Sequence, residues 1–315
     1  MNGREPACQA IALLGFGGPT SPSEIRPFLD RILSGRPIPS ERYEEVVRHY
    51  ERLGGSSPYN QITMNQAIGL ETTLHQMGIG APVVVGFRHM PPFFEDALHA
   101  LKRRGVHRAL AFILAPHRSE ASWDRYVNEM NLARDRLEPD APGIEYPPVW
   151  HNHPLFVEAV SDLTRSALEK IDASDGTNAE LVFTAHSIPL SMGGRALYVE
   201  QLTESARLIA LQLEAERWTL AFQSRSGNPR ERWLEPDIKD VLRERAGNKL
   251  VIVPVGFLCD HVEVLYDLDI EAAQIAREAG VNMARAATVG DHPKFVKMMA
   301  EIASLHLTSG PVAST

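Results

Sequence analysis

The sequence predicts an α/β protein made of two similar open units, each built on a parallel sheet, and three observations carry this. Short, continuous apolar runs rich in β-branched residues recur along the 315 residues, as expected for strands buried on both faces. Longer amphipathic stretches separate them, and strand alternating with helix implies parallel pairing. The two halves of the chain look alike, with four strand candidates each.

In the first half the strand candidates are AIALLGF from Ala10, PVVVGF from Pro82, ALAFILA from Ala109 and a weaker IEYPPVW from Ile144. In the second they are LVFTAH from Leu181, TLAFQS from Thr219, KLVIVPVGF from Lys249 and VNMARAAT from Val281. Helices are expected over 94–104, 154–170, 198–215 and 262–279. The boundary falls near Trp150–Pro154, giving units 1–150 and 151–315, with the C-terminal helix free to pack back on the first. The tail from Thr308 is small and polar and is expected to be disordered.

Net charge is −8. A nucleic-acid binder usually carries a basic balance, so that class is disfavoured. Only two cysteines are present, Cys8 and Cys259, which rules out a four-cysteine cluster or zinc knuckle. The apolar run near Ala10 is too short for a signal peptide and is broken by glycine and proline. A cytoplasmic enzyme is the expectation.

In open parallel sheets, functional residues sit just past the C-terminal ends of strands. The loop GFGGPT there puts Thr20 where a dinucleotide fingerprint wants its third glycine, and it has no Gly-Lys-Ser/Thr. A tight turn and a close approach to a flat ligand stay equally open for it. TAHSIP places His186 at a strand end. Adjacent residues on an extended chain point to opposite sides, so a dyad of His186 with Ser187 is disfavoured. DHVEVLYDLDIE begins past another strand end, and its Asp260 and Glu263 have capping-box spacing. That spacing leaves Asp267 and Glu271 unexplained. Glu263, Asp267 and Glu271 are four apart on one helix face, with no basic residue nearby in sequence until Arg277. Such a ridge suits a solvated face or, turned into a cleft, a track for divalent cations or protons. Imidazole and carboxylate both suit Fe(II) without the tenacity of thiolate. GFRHMPPFFEDA offers Arg88 and His89 for anionic groups on a ligand. Arg225 and Trp233 are candidates for ligand contact or for contact between the units.

Taken in order, GFGGP, GGSSPYNQIT, GFRHMPPFFEDA, TAHSIP, QSRSGNPRERWLEPD and PVGFLCDHVEVLYDLDIE resemble the ferrochelatases, from about Ala10 to Ile302. The resemblance implies two Rossmann-like domains of chelatase type, each a four-stranded parallel sheet flanked by helices, with a porphyrin cleft between them. It implies His186 as the catalytic histidine with Glu263, metal contacts continuing through Asp267 and Glu271, and porphyrin contacts at Phe16, Tyr50, Ser57 and Tyr126. Phe16 stands where some members carry tyrosine, so any role as an iron ligand is lost there. FGGP, PFLDRILSGRPIP, QSRSG and WLEP look most like the actinobacterial enzymes that use coproporphyrin III. The implied activity is therefore a lyase of haem biosynthesis that inserts Fe(II) into coproporphyrin III, with protoporphyrin IX as the alternative substrate. A porphyrin or haem carrier without turnover and a cobalt or nickel chelatase are the rivals. Fe(II) is expected as substrate, with no permanently bound cofactor and no iron–sulfur cluster. A monomer making transient contact with other enzymes of haem synthesis is expected, with no nucleic-acid partner.

Overall fold

The computed structural model describes residues 7–35, 38–171, 179–226 and 231–307. The tail from Thr308 and residues 227–230 lie outside the described residues.

All eight predicted strands form: β1 (Ala10–Gly15), β2 (Val83–Phe87), β3 (Arg108–Ile113), β4 (Gly143–Glu145), β5 (Glu180–His186), β6 (Trp218–Gln223), β7 (Lys249–Val253) and β8 (Asn282–Arg285). They make two four-stranded parallel sheets, in the orders β2-β1-β3-β4 and β6-β5-β7-β8. The second sheet repeats the strand order of the first.

The helices are α1 (Ile25–Leu33), α2 (Ser40–Arg52), α3 (Tyr59–Gln76), α4 (Phe94–Arg103), α5 (Arg125–Leu137), α6 (Pro154–Leu168), α7 (Arg195–Gln212), α8 (Ile238–Glu244), α9 (Val262–Leu265), α10 (Ala273–Glu278) and α11 (Pro293–Ser304). Strand periodicity sorts the apolar residues between layers. Ala10, Ala12 and Leu14 of β1 face an outer core with Leu98 of α4 and Met130 of α5. Val182, Leu250 and Ile252 face the equivalent outer core with Val241 of α8 and Ala276 of α10. The opposite faces, through Ile11, Leu13, Leu181, Phe183, Val251 and Val253, join one continuous central core.

That central core ties the halves together. α11 packs against both α3 and α6. Its Phe295 is fully buried against Phe156 of α6 and Trp150, with ring centroids 6.2 and 5.7 Å apart. Beyond α11 the chain returns to the start of β1, where the Cys8 amide donates to the His306 carbonyl at 2.8 Å. Burying one such aromatic side chain contributes roughly 1.5–3 kcal/mol.

The stretch 262–279, expected as one helix, is not uniform. A π turn spans Asp267–Ala272 between α9 and α10, and the Glu271 amide reaches back five residues to the Tyr266 carbonyl at 3.0 Å. In an α-helix, residues four apart drift by about 40° around the axis. A π turn holds more residues and turns that drift back. The ridge Glu263, Asp267, Glu271 is thereby kept closer to a straight line along the helix.

Candidate active site

His186 is the last residue of β5, the strand paired on both sides by β6 and β7. Its Nδ1 meets the Ser187 carbonyl, which can only accept, so the ring proton sits on Nδ1 and Nε2 faces outward. Tyr198 of α7 donates its hydroxyl to the His186 carbonyl at 3.1 Å. Gly256, following β7, lies against Ala185, where a β-carbon would fall 2.5 Å from the alanine β-carbon. Only glycine lets the loop after β7 pass that close beside His186. Ser187 is buried and donates to the Leu234 carbonyl at 3.0 Å, away from the imidazole.

That loop delivers Glu263. Its Oε1 lies 3.4 Å from His186 Nε2, with the two side chains 40% and 31% exposed at the edge of the cleft. The expected capping box does not form. His261 caps α9 instead, its Nδ1 accepting from the Glu263 amide at 3.2 Å. Asp260 is drawn off by Arg285 of β8, Nη1 to Oδ1 3.0 Å. Glu263 is thus released from capping and turned toward the histidine. Gln223, at the end of β6, donates its side-chain amide to the Glu263 carbonyl.

The electrostatics follow from this pairing. Burial disfavours charge on His186, but the Glu263 carboxylate, the Ser187 carbonyl and Asp267 outweigh it and raise its pKa to about 9. Burial likewise opposes ionisation of Glu263, and His186 overrides it and lowers that carboxyl to about 2. Asp267 makes no ion pair among the described residues. Burial, joined by repulsion from Glu263 and Glu271, pushes it up to about 7 even though the Ser224 hydroxyl donates to it. The site therefore holds an imidazolium–carboxylate pair beside a carboxyl poised to take or give a proton near neutrality.

Glu271 completes the ridge but is not uncompensated, as the local sequence suggests. Lys239 of α8 reaches its Oε2 at 2.8 Å. Among the described residues, no group of three or more His, Cys, Asp or Glu is placed to hold a metal ion together. The three acids are strung along the helix rather than gathered at one point.

The opposite wall comes from the first half. Phe16 follows β1, packed on Phe28 and on His89, whose ring centroid is 4.5 Å away. Burial, then Arg88 and Arg31, lower His89 to about 3, so this imidazole is neutral. The GFGGP segment is a packed turn. The Phe16 amide donates to the Tyr59 hydroxyl at 3.0 Å, and Asn60 both accepts from and donates to the Gly18 backbone at 2.9 Å. A β-carbon on Gly18 would fall 2.7 Å from Ser57, which fits against it. Tyr50 of α2 is buried with its ring edge-on to Phe28, and burial and Glu263 both raise its hydroxyl pKa.

Two expected ligand contacts are otherwise engaged. Arg88 is not offered to anionic groups: its guanidinium forms a two-pronged pair with Glu129 and lies over the Tyr126 ring, 4.8 Å from its centroid. Tyr126 itself is buried in the outer core against Phe94. Arg225 pairs loosely with Glu235 at 3.6 Å, and Trp233 is buried. Residues that sequence reasoning missed, Tyr198, Gln223, Ser224, Lys239 and His261, all act on a partner delivered by another element or by the fold of a loop. At the cleft edge, His49 of α2 stacks on Tyr266 of the acidic helix with centroids 3.6 Å apart, so the two halves touch there.

With this geometry in view, the comparisons with known proteins are direct. The family described as Ferrochelatase matches residues 8–307. A ferrochelatase from Rhodopirellula baltica is 40% identical over 298 residues, covering 93% of this chain and 85% of that protein. A coproporphyrin III ferrochelatase from Nocardia farcinica is 39% identical over 312 residues, covering 96% and 89%. One from Mycobacterium marinum is 40% identical over 295 residues, covering 92% and 84%. Among solved structures, SirB from Bacillus subtilis with Fe3+ superimposes with a TM-score of 0.62 over 96% of each chain at 15% identity. The sirohydrochlorin chelatase SirB from Bacillus subtilis subspecies spizizenii with cobalt gives 0.58 over 94% of each chain, also at 15% identity. At that identity the likeness speaks for the chelatase fold.

Proposed function

This chain belongs to the ferrochelatase family, the enzymes that take Fe(II) as substrate and insert it into a porphyrin, and we propose that its porphyrin is coproporphyrin III and that the chemistry occurs between His186 and Glu263. The substrate reading is supported by the actinobacterial relatives of that name. The site reading is supported by one observation above the rest: His186 Nε2 and Glu263 Oε1 stand 3.4 Å apart at the C-terminal edge of the second sheet.

Metal insertion replaces two pyrrole N–H protons with one Fe(II), so two protons must leave. Before metal arrives, the proton shared by His186 and Glu263 blocks the imidazole lone pair. Entry of a dication beside Glu263 replaces the imidazolium as its counter-charge and expels that proton. Neutral His186 is then able to accept the two pyrrole protons in turn, passing the first to Asp267 before it takes the second. Asp267, poised near pH 7, takes protons onward, with Glu271 at the outer end of the same helix. Phe16, Tyr50 and Ser57 form the wall against which the macrocycle lies. Binding energy from the ligand's carboxylates offsets the distortion that exposes its nitrogen lone pairs.

In this reading the chain works as a monomer of two units, 1–150 and 151–315, in the cytoplasm, with no resident cofactor or cluster and transient contact with neighbouring enzymes of haem synthesis. No helix among the described residues is long and apolar enough to cross a membrane.

The test is anaerobic Fe(II) insertion by the purified protein with coproporphyrin III and protoporphyrin IX compared side by side. A higher kcat/KM for coproporphyrin III is expected. Preference for protoporphyrin IX overturns the substrate assignment, and porphyrin binding without turnover points to a carrier.

A further inference from the structure

The acids of the ridge have different partners in turn along the helix. Glu263 faces an imidazole, Asp267 a hydroxyl and Glu271 an ammonium. We propose that Lys239 is a place-holding cation: it occupies the outer carboxylate of the track while the track is empty and swings aside when a divalent ion takes Glu271. This rests on the reading of the ridge as the route of the metal.

The geometry favours a displaceable contact. Lys239 sits in the first turn of α8, where its backbone amide is anchored by the cap, donating to Asp237 Oδ1 at 2.9 Å. The ammonium is carried on a flexible four-carbon stem and meets Glu271 as a single point charge. The two side chains are 39% and 32% exposed, so water and an incoming ion both reach this single-point contact. A doubly charged cation with oxygen affinity outcompetes it for the same carboxylate.

The same helix carries a contrasting case. Asp269, two residues from both Asp267 and Glu271, is held by Arg285 through two bonds, Nε to Oδ1 2.6 Å and Nη2 to Oδ2 2.8 Å. That guanidinium is only 14% exposed and also binds Asp260. A fork of this kind is built to stay. The acid that anchors the segment thus has an arginine, and the acid at the cleft entrance has a lysine.

Zn(II) titrated calorimetrically into the purified full-length protein tests this without depending on turnover. K239Q is expected to tighten Zn(II) binding about three- to tenfold by removing a competing charge. K239R is expected to weaken it about two- to fivefold, because the fork holds Glu271 harder. The gain in K239Q should vanish when Glu271→Gln is added. Unchanged affinity in K239Q, or a gain that survives in the double variant, overturns the proposal. A loss of affinity shared by both Lys239 variants, with an equal fall in melting temperature, also overturns it by showing a structural role only. A parallel chelatase assay should show KM for the metal falling in K239Q while KM for the porphyrin stays put. Absence of turnover in the wild type would count against the assigned reaction, with the Zn(II) titration still deciding the role of Lys239.

Discussion

The two sheets share a strand order, yet their equivalent strand ends do opposite things. β1 ends in Gly15, and the segment after it is clamped by Tyr59 and Asn60 into a packed turn that presents Phe16 beside neutral His89. β5 ends in His186, and the segment after β7 brings Glu263 to it and starts the acidic helix. One end presents an aromatic surface with a neutral histidine, and the other concentrates every titratable group assigned to the reaction. The lesson is that the repeated scaffold supplies position, while the residues past each strand end supply either surface or chemistry.

Removing the chemistry should cost most. His186→Ala is expected to lower kcat/KM for iron insertion by about 10²–10⁴ with an unchanged circular dichroism spectrum, the usual range for a lost proton-transfer group. Activity within a few-fold of wild type would end the assignment of the second strand end as the reacting one.

Next is the layer that holds the two ends face to face. Phe295→Ala should destabilise the protein by about 3–5 kcal/mol, read as a lower midpoint in urea. Because α11 packs on elements of both halves, the loss should appear in one shared transition. Separate transitions for the halves would show that they stand more independently than the continuous core implies.

The charge asymmetry predicts a pH profile. With the folded pKa of His186 raised to about 9, its proton competes with metal at neutral pH, so Zn(II) affinity should climb with pH until about 9. In Glu263→Gln the counter-charge is gone and burial dominates, so the His186 titration followed by NMR should move below its ordinary value. A midpoint still near 9 would mean that Glu263 does not set it. Folding stability runs the other way. The contribution from His186 is fully present below its ordinary value near 6.5 and fades as pH rises through 9. That from Glu263, depressed to about 2, is present above its ordinary value and fades as pH falls through 2.

The smallest effect belongs to the wall. Phe16→Tyr adds a hydroxyl to a surface read here as shape alone, so insertion rates should change less than about tenfold, the scale of 1.4 kcal/mol. A larger change would give the first strand end a chemical part in the reaction.

The strands and the placing of His186 and Glu263 just past strand ends were legible in the sequence because both are local matters. Buried parallel strands leave continuous apolar runs, and strand ends mark where a histidine or an acid is exposed to a cleft. The errors all concern partners. Asp260 and Glu263 have capping-box spacing, yet Arg285, twenty-five residues beyond Asp260, claims it. Arg88 looks available in its loop, yet Glu129 from α5 neutralises it. The ridge looks unpaired within its own helix, yet Lys239 comes from another. The π turn in the acidic helix also left no mark in the apolar pattern, since one added residue per turn hardly disturbs a short amphipathic stretch. Periodicity and strand-end position are written in neighbouring residues and survive any arrangement of the whole. Which charge meets which depends on packing that brings distant segments within a few ångströms, and at that range a single carboxylate decides whether a histidine is a free base or a cation.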